Sequence, residues 1–363
     1  MKAVVNCFER FAVLAIRFVY LFYRPLRIKK RITIISRQSD EPTEDVNMLA
    51  AELVNQMPEY EIAVLTKTLD KANFISYVFH MFTQMKYFAT SRVIVLDGYC
   101  IICGVIKHKE GTTVIQMWHA MAAVKKFGYD SIDKFAGRDA DTARIMGMHK
   151  NYDYIIAPSE TTARHFLRGF DESNDKIVIG GLPRADLLVS GDTIEIEEDR
   201  KIVLYAPTFR RGGSVDIDEL KTAIDNNKYK LIVKLHPLDR NYDRSETNFS
   251  TYQWLRKCDY VITDYSALGV EAAIAGKPVF WYVFDIDDYE KSTGLNINPE
   301  KTMPQATART VSELVALLEN KYDYEALARF RDKFIEVTPG ECTVKLAKFV
   351  SEKAGERRNI NDG

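Results

Sequence analysis

The sequence predicts an α/β protein with two domains, each built on a parallel β-sheet. The first observation is length, since 363 residues are more than one hydrophobic core fills comfortably and suit two domains of ordinary size. The second is alternation, because short β-branched segments recur with helical segments between several of them. The third is composition: 46% hydrophobic and 28% charged residues indicate a globular protein, not a disordered or fibrous one.

The strand segments fall into two series separated by a Gly-Gly-Leu-Pro turn. The first series occupies residues 31–36, 61–65, 92–96, 113–117, 154–157 and 176–179, and the second occupies 202–206, 230–235, 260–263 and 279–282. Helices are expected at residues 45–56, 161–167, 216–226, 267–275, 311–320, 324–334 and 343–352. The predicted domains are therefore residues 31–185 and 186–342, followed by a final helix and tail at 343–363.

Positive charge is concentrated at the N-terminus. The first 31 residues hold eight basic residues and one acidic residue, a net charge of +7, whereas the whole chain carries −1. The rest of the chain therefore carries −8 and shows no basic stripe interleaved with aromatic residues. Nucleic acid is excluded as a partner on this ground.

Residues 1–30 are predicted to form an amphipathic segment that associates with a membrane. The segment is rich in aliphatic and aromatic residues, but Glu9, Arg10 and Arg17 interrupt it, so its apolar runs fall short of the ~20 residues that cross a bilayer. An apolar helix followed by a basic cluster is typical of a segment lying in the interface of an anionic membrane. The alternative is a helix that packs on a domain and ends in a solvated basic tail.

The five cysteines are an odd number and scattered, which suits a reducing cytoplasm. Cys100 and Cys103 have the spacing of a redox or metal pair. They lack a second Cys/His pair at suitable spacing, so a buried structural role is expected for both.

A strand, turn and helix at residues 259–278 form the most informative part of the chain. A buried strand runs into the polar turn Asp264-Tyr-Ser266, and a helix of small residues follows from Ala267. Unpaired N–H groups and the positive end of a helix dipole favour a phosphate there. Ser266, with Ala267 beside it, is therefore predicted to contact phosphate, with simple helix capping as the alternative. Asp264 is acidic, so it is expected to cap the helix or to orient a neighbour.

Cations follow two strands of the second series. Lys234 and His236 belong to a Lys-Leu-His-Pro motif after one strand, and Arg210 and Arg211 end an Ala-Pro-Thr-Phe-Arg-Arg motif after another. Ligands of open α/β sheets bind beyond the carboxyl ends of strands, so these four residues and Thr208 are predicted to bind phosphate. For the first pair, the alternative is a solvent-facing lysine and a structural histidine.

His119 ends a strand of the first series in a Gln-Met-Trp-His-Ala motif. An imidazole that faces a nucleotide site takes a proton from an attacking hydroxyl near neutral pH. His119 is therefore the candidate general base, with a structural histidine as the alternative, and His236 is the second candidate catalytic histidine. Trp118, Lys125 and Lys126 flank His119 in the chain and are assigned to the acceptor side.

An acidic segment holds Asp285, Asp287 and Asp288. Paired carboxylates bind magnesium diphosphates, so Mg²⁺ is an alternative cofactor here. Exposed acidic loops are common and need no metal. No metal ligand is assigned, and Mg²⁺ stays open.

Seven motifs occur in order along residues 113–296. They are Trp118-His119 with Lys125-Lys-Phe-Gly128, Tyr154-Ile-Ile-Ala-Pro-Ser159, Gly181-Leu-Pro-Arg-Ala-Asp186, Ala206-Pro-Thr-Phe-Arg210, Lys234-Leu-His-Pro237, Asp264-Tyr-Ser266 and Gly276-Lys-Pro278. As an ordered set, the motifs resemble the CDP-glycerol glycerophosphotransferase family, the teichoic acid primases and polymerases of Gram-positive bacteria. The chain departs from the family at Ala120, where glycine is usual, and at Ala267, where a second serine is common. These changes leave the exact donor open.

The resemblance implies a GT-B architecture, in which two Rossmann-like domains face a cleft. It implies that the second domain holds CDP-glycerol through Arg210, Lys234, His236 and Ser266, and that His119 of the first domain is the base. The implied reaction moves glycerol phosphate to a hydroxyl of an undecaprenyl-diphosphate-linked saccharide and releases CMP. It also implies a peripheral enzyme at the cytoplasmic face of the cell membrane. Because the long extra N-terminal region of many polymerases is not found, a primase that adds one unit is expected.

Three alternatives stay open. A CDP-ribitol or other polyol-phosphate transferase would keep the same residues. A nucleotide-sugar glycosyltransferase or hydrolysing epimerase would share the fold. A non-catalytic membrane scaffold is the third, although retention of His119 and His236 argues against it. The oligomeric state is also open, with a homo-oligomer as one option.

Overall fold

The structure, a computed structural model, describes residues 2–69, 74–135, 137–190, 194–210, 217–235 and 249–356. The chain divides into two units. The first comprises Met1–Ala120, Phe127–Arg184 and Glu341–Gly363, and the second comprises Met121–Lys126 and Ala185–Gly340. Each unit holds one sheet in which all paired strands are parallel. The predicted α/β fold with two parallel sheets is confirmed.

The first unit is built on a six-stranded sheet. Its strands are β1 (Arg31–Ser36), β2 (Glu61–Thr66), β3 (Val93–Leu96), β4 (Thr113–Gln116), β5 (Tyr154–Ala157) and β6 (Ile177–Ile179), in the spatial order β2-β1-β3-β4-β5-β6. Its helices are α1 (Lys2–Tyr23), α2 (Glu44–Gln56), α3 (Phe74–Thr90), α4 (Ile101–Val105), α5 (Ala140–Ile145) and α6 (Glu160–Phe170). Short 3-10 helices lie at Gly128–Ser131 and Asn174–Lys176.

The inner strands of this sheet are buried because both faces of the sheet are covered. Every residue of β1, β3 and β4 is buried. The last helix of the chain, α15 (Cys342–Gly355), returns to this unit and packs against α2, β3 and β4. The hydroxyl of Tyr60 donates a hydrogen bond to the main-chain oxygen of Ala354 at 3.0 Å, which ties α15 to the loop before β2.

The second unit is built on a five-stranded sheet. Helix α7 (Arg184–Ser190) spans the boundary, and the strands are β7 (Lys201–Tyr205), β8 (Tyr229–Val233), β9 (Tyr260–Thr263), β10 (Val279–Tyr282) and β11 (Thr307–Ala308), in the spatial order β11-β10-β9-β7-β8. The helices are α8 (Ile217–Ala223), α9 (Thr251–Lys257), α10 (Leu268–Ile274), α11 (Ile286–Ser292), α12 (Pro299–Thr302), α13 (Val311–Glu319) and α14 (Tyr324–Phe334), with a 3-10 helix at Pro304–Ala306.

Helix α10 is buried along its whole length in the second unit. Gly269 allows this, because a Cβ at Gly269 would lie 2.1 Å from the ring of Trp281 on β10. On the other face of the sheet, Leu220 of α8 and Leu314 of α13 join Val203, Ile262 and other strand residues in one apolar cluster. The small-residue helix that the sequence predicted therefore serves close packing on the sheet.

Helix α1 lies on the first unit and leaves one face uncovered. It packs against α3, α4 and α5, with Val13 and Tyr20 buried. The Nε atom of Arg17 donates to the main-chain oxygen of Val105 at 2.7 Å. Among the described residues, no helix is both long enough and apolar enough to cross a membrane.

Candidate active site

His119 lies just beyond β4, at the carboxyl edge of the first sheet. The preceding residue, Trp118, has left-handed backbone geometry with φ of 63°, which is rare for a bulky side chain. Its N–H donates to Oε1 of Gln116 at 2.9 Å, and Nε2 of Gln116 donates to the main-chain oxygen of Gly98 at 3.0 Å. This hydrogen-bonded turn brings His119 to the end of the neighbouring strand β3.

Two groups contact Nδ1 of His119. The main-chain oxygen of Asp97 lies 2.9 Å away, and the side-chain amide of Gln38 lies 3.2 Å away. Because a carbonyl oxygen only accepts, Nδ1 carries the proton in this contact and Nε2 carries the lone pair. The amide atom at 3.2 Å is Nε2, so with Nδ1 protonated the amide has to be turned over for its oxygen to face Nδ1. The ends of β1 and β3 thus hold His119 in the tautomer whose Nε2 can accept a proton.

The ring of Trp118 packs against the imidazole of His119. Its centroid lies 4.2 Å from that of His119, and it stacks on Phe127 at 4.7 Å with 29° between the planes. Only 9% of Trp118 is exposed, so it offers little surface to a ligand. Gly128, after Phe127, has φ of 57°, and a Cβ there would lie 2.0 Å from the main-chain oxygen of Gly169. The Phe-Gly pair is therefore needed to seat this aromatic stack.

His149 lies inside the same aromatic cluster and is neutral. Its Nδ1 is 3.0 Å from the hydroxyl oxygen of Tyr152, and its ring packs edge-on against Trp118. Burial, reinforced by the positive charges of Arg138 and Arg37, lowers the pKa of His149 to about 3. At neutral pH this histidine is a packing residue.

Asp97 is a buried carboxyl at the same edge of the sheet. It is 2% exposed, and within the described chain neither of its carboxylate oxygens meets a hydrogen-bond partner in good geometry. Burial raises the pKa of Asp97 to about 6, which the nearby Ser36 hydroxyl only partly opposes. Asp45 and Arg184, whose Nε–Oδ2 distance is 2.7 Å, form a buried ion pair that also acts on Asp97.

In the second unit, Asp264 organises the loop after β7. It is 2% exposed and follows β9 directly. Its carboxylate accepts the N–H of Thr208 at 2.9 and 3.1 Å and the N–H of Tyr265 at 2.6 Å, and it pairs with Nη1 of Arg210 at 2.7 Å. The geometry matches the sequence-based expectation that Asp264 orients neighbours.

Arg210 is engaged by two carboxylates. Its Nε and Nη2 atoms donate to the two oxygens of Asp285 at 2.7 and 3.1 Å, in addition to the contact with Asp264. The guanidinium also lies 4.9 Å from the ring of Phe284. Although burial alone would lower it, hydrogen bonds and charges of both carboxylates raise the pKa of Arg210. In this arrangement the charge of Arg210 is already neutralised, so its role is to join three loops of the second unit.

Tyr265 extends this cluster. Its hydroxyl donates to Oδ1 of Asp285 at 3.0 Å, and its ring stacks on Tyr289 at 4.0 Å with 24° between the planes. Ser266 lies next in the chain, and its Oγ accepts the N–H of Leu268 at 3.2 Å, so it caps the first turn of α10. Ala267 is partly exposed and offers only its main chain.

Lys234 lies beyond β8, beside the end of β7. Its main-chain N–H donates to Tyr205 oxygen at 2.8 Å, and its Nζ donates to the main-chain oxygen of Phe249 at 2.9 Å. Thr208, after β7, has a buried hydroxyl for which no hydrogen-bond partner is found in the described chain. Thr208, Arg210, Lys234 and Asp264 therefore all lie beyond the carboxyl ends of β7, β8 and β9 in one unit.

Lys125 and Lys126 belong to the second unit, in the segment Met121–Lys126. The main chain of Lys125 bridges Leu295 in antiparallel fashion, and the N–H of Lys126 donates to the main-chain oxygen of Gly294 at 3.0 Å. The N–H of Asn296 donates to Val124 oxygen at 2.8 Å. These lysines are thus grouped with Thr208, Arg210, Lys234 and Asp264, whereas Trp118 and His119 lie in the first unit.

The sequence matches the profile of the CDP-glycerol:poly(glycerophosphate) glycerophosphotransferase family over residues 17–352. That range includes both strand series, the surroundings of His119 and the cluster around Asp264 and Arg210. The chain belongs to this family.

Curated relatives and a solved structure agree with that membership. The teichoic acid ribitol-phosphate primase of Bacillus spizizenii is 28% identical, over 88% of this chain and 90% of its own length. The teichoic acid glycerol-phosphate primase of Bacillus subtilis is 28% identical, over 75% of this chain and 76% of its own. A structure of the wall teichoic acid polymerase TagF matches with a TM-score of 0.75 and 18% identity, covering 98% of this chain and 99% of that one. This likeness shows a shared GT-B-like fold.

Two residues that the family resemblance or the motifs assigned, His236 and Arg211, lie outside the described residues. Two carboxylates of the acidic segment for which Mg²⁺ was considered are paired with basic side chains. Asp285 binds Arg210, and Asp287 binds Nη1 of Arg309 at 2.8 Å. Within the described ranges, no three His, Cys, Asp or Glu side chains are grouped as metal ligands.

Sequence reasoning for this family did not single out Gln38, the carbonyl of Asp97, or Asp285 as the partner of Arg210. Each one lies within three residues of the end of a strand, the place where site residues of parallel sheets collect. Their position near a strand end was the only feature of the sequence that could have identified them. It does not indicate which side chain each residue contacts.

Proposed function

We propose that this protein is a polyol-phosphate transferase of teichoic acid synthesis that moves glycerol phosphate from CDP-glycerol to a hydroxyl of a lipid-linked saccharide and releases CMP. Membership of the glycerophosphotransferase family supports the donor class. Two primases, each matched over most of its own length, support addition of a single unit. The acceptor is proposed to be an undecaprenyl-diphosphate-linked saccharide.

The observation that carries this proposal is the environment of His119. A proton on Nδ1, held by the Asp97 carbonyl, leaves the lone pair on Nε2, which is what a general base needs. Trp118 and Phe127 fix the plane of the ring. A purely structural histidine would not require a strained residue before it and an amide and a carbonyl at one nitrogen.

In the proposed step, Nε2 of His119 takes the proton of the acceptor hydroxyl. The hydroxyl oxygen forms a bond to the glycerol-bearing phosphorus of CDP-glycerol, and the bond from that phosphorus to the bridging oxygen breaks. The electron pair leaves with CMP. Rate enhancement then comes chiefly from holding the two reactants together and from offsetting charge on the leaving phosphate.

The second unit is proposed to bind the donor. Asp264 holds the Thr208 loop by its N–H group, and the Thr208 hydroxyl lies buried beside it. Arg210 clamps this loop to Asp285 and so sets the shape of the site. Lys234 and Ser266 contribute from the ends of β8 and β9, where ligands of parallel sheets bind.

CDP-ribitol is the second candidate donor. One observation favours it. The ribitol-phosphate primase is matched over 90% of its own length, whereas the Bacillus subtilis glycerol-phosphate primase is matched over 76%. Ala267 also departs from the serine that the family resemblance leads one to expect. Both donors share the CDP group and differ only in the polyol.

Peripheral attachment to the cytoplasmic face of an anionic membrane is proposed for the first unit. Helix α1 exposes a row of large apolar residues whose exposed fractions exceed one half: Val4, Phe8, Phe11, Leu14, Phe18, Leu21 and Phe22. Helix α3, against which α1 packs, exposes Phe74, Ile75 and Phe79 to a similar degree. Four basic residues that follow α1, namely Arg24, Arg27, Lys29 and Lys30, are exposed as well, whereas Arg31 is buried and pairs with Glu61. An apolar face bordered by cations suits the interface of an anionic bilayer.

The test of the proposed reaction is a donor panel. The protein is incubated with a short-chain lipid-linked disaccharide and with CDP-glycerol, CDP-ribitol or UDP-N-acetylglucosamine, and release of CMP or UDP is followed. CMP release from CDP-glycerol with one glycerol phosphate in the product is expected. Turnover of CDP-ribitol alone would replace the donor, and turnover of the UDP-sugar alone would overturn the proposal.

A further inference from the structure

Lys125 is an ammonium group placed within the second unit by a short strand-like segment. Its main chain bridges Leu295, and the flanking Val124 and Lys126 are hydrogen-bonded to residues 294–297. Gly294 is in turn held by the main-chain oxygen of Tyr289, whose ring stacks on Tyr265 beside Asp264. The position of Lys125 is therefore set by the same elements that build the donor side.

The charge of Lys125 is not offset by an ion pair. Within the described residues, no carboxylate lies within ion-pair distance of its Nζ, although its side chain is partly buried. Burial lowers the pKa of Lys125, Asp264 opposes that change, and Arg210 adds to it. The negative charge of Asp264 stabilises the Lys125 ammonium, but Arg210 already forms an ion pair with Asp264. A desolvated cation without a partner is unfavourable unless an anion from outside completes the site.

Thr208 supplies an independent observation at the same place. Its N–H is held by Asp264, and its hydroxyl is buried with no hydrogen-bond partner in the described chain. A native protein rarely leaves buried polar groups unpaired without a reason. The Lys125 ammonium, on which the charge of Asp264 acts, and the Thr208 hydroxyl, in the loop that Asp264 holds, are donors that a diphosphate would satisfy.

We propose that Lys125 binds the diphosphate of the nucleotide donor, together with the hydroxyl of Thr208. This inference rests on the proposed function and moves Lys125 from the acceptor side, where the sequence put it, to the donor side. The lysine ammonium is a compact point charge with three donors on a flexible stem. Arg210 then acts as the clamp that shapes the loop, and Lys125 as the cation that meets the ligand.

The test is calorimetric binding of CDP-glycerol, CDP-ribitol, UDP-N-acetylglucosamine and free cytidine to the wild type, Lys125→Met and Lys125→Gln. Lys321→Met is the matched control, since Lys321 is an exposed lysine of the same unit. Both Lys125 variants are expected to lower the affinity for the diphosphate ligands by about 10-fold to 100-fold, and the affinity for cytidine by less than about 2-fold. Circular dichroism checks that each variant is folded, and the second variant covers the case in which the first is not.

The outcomes separate this inference from the proposed function. If UDP-N-acetylglucosamine is the ligand and Lys125→Met weakens it, the lysine assignment stands and the CDP-glycerol reaction is wrong. If CDP-glycerol binds the folded Lys125 variants as tightly as the wild type, the lysine assignment is wrong and the reaction stands. Equal weakening by Lys321→Met, or no binding of any diphosphate to the wild type, would also overturn the assignment.

Discussion

Nδ1 of His119 lies 2.9 Å from the main-chain oxygen of Asp97, which joins the residue after β4 to the residue after β3. A main-chain oxygen cannot change its hydrogen-bonding sense, so this contact defines the tautomer whichever way the Gln38 amide is turned. It also means that the imidazole is positioned by the sheet edge and not by a mobile side chain. Several consequences for catalysis and stability can be measured.

Replacing His119 by alanine should remove the base and spare the donor site. Turnover is expected to fall by about 10²-fold or more, as for loss of one preorganised catalytic group. The CDP-glycerol affinity is expected to change by less than about 2-fold, because the residues proposed to bind the donor belong to the second unit. Single-turnover kinetics and calorimetry measure the two quantities. Unchanged turnover in a folded His119→Ala protein would refute the base assignment.

Gln38 is a positioning residue, and Gln38→Glu tests it through the pH profile. A carboxylate beside the Nδ1–H would stabilise the imidazolium and raise the apparent pKa of the acidic limb of kcat/KM by about 1 unit. Gln38→Ala should lower kcat without that rise. Ser39→Ala, one residue further along the same exposed loop, is the control. A profile for Gln38→Glu that overlays the wild type would show that Gln38 does not act on His119.

Arg210→Met should mainly destabilise the second unit. It would leave Asp264 and Asp285 as close carboxylates without their cation, which costs about 3–5 kcal/mol for a buried ion pair. Urea unfolding measures the loss. Arg210→Met combined with Asp285→Asn should recover part of it, because one of the repelling charges is removed. If Arg210→Met were as stable as wild type and failed only in CDP-glycerol binding, the phosphate-binding role expected from the sequence would be the better account.

Exposed phenylalanines of α1 should govern membrane binding. Phe8→Glu with Phe18→Glu removes two side chains that are 71% and 62% exposed, and is expected to weaken binding to anionic vesicles by at least about 10-fold. Val54→Glu, at a 55% exposed apolar position on α2, is the control. Vesicle flotation with neutral and anionic lipids measures the effect. Equal loss in the control, or none in the double variant, would contradict attachment through α1.

Asp97→Asn should stabilise the protein at high pH. The folded-state pKa of Asp97 is about 6, above the usual 3.8, so its ionised form is unfavourable above pH 6 and that cost disappears as the pH falls from 6 to 4. The variant is expected to exceed wild type in unfolding free energy at pH 8 by up to about 3 kcal/mol, with the difference shrinking towards pH 4. Thermal and urea unfolding at both pH values measure it. A pH-independent difference would show that Asp97 does not titrate as described.

Local patterns accounted for much of the fold. The strands at residues 31–36, 154–157, 260–263 and 279–282 were predicted with the bounds that the structure has, and most others differ by one or two residues. Buried parallel strands are continuous β-branched runs, so they are visible without knowledge of their neighbours. Seven helices (α3, α4, α5, α7, α9, α11 and α12) and the two-residue β11 were not predicted. Helix α3 has aromatic and apolar residues on every side, and the other elements, of seven residues or fewer, are too short to show a clear period.

By itself, the sequence determined the α/β class, the two strand series, and the strand ends at which His119, Arg210, Lys234 and Asp264 lie. Tertiary structure alone decided how those groups are used. Arg210 meets Asp285, 75 positions later, and Lys125 joins the second unit although it lies between the fourth and fifth strands of the first. Strand ends follow from short-range periodicity, whereas the partner of a charge depends on which loops the completed sheet brings together.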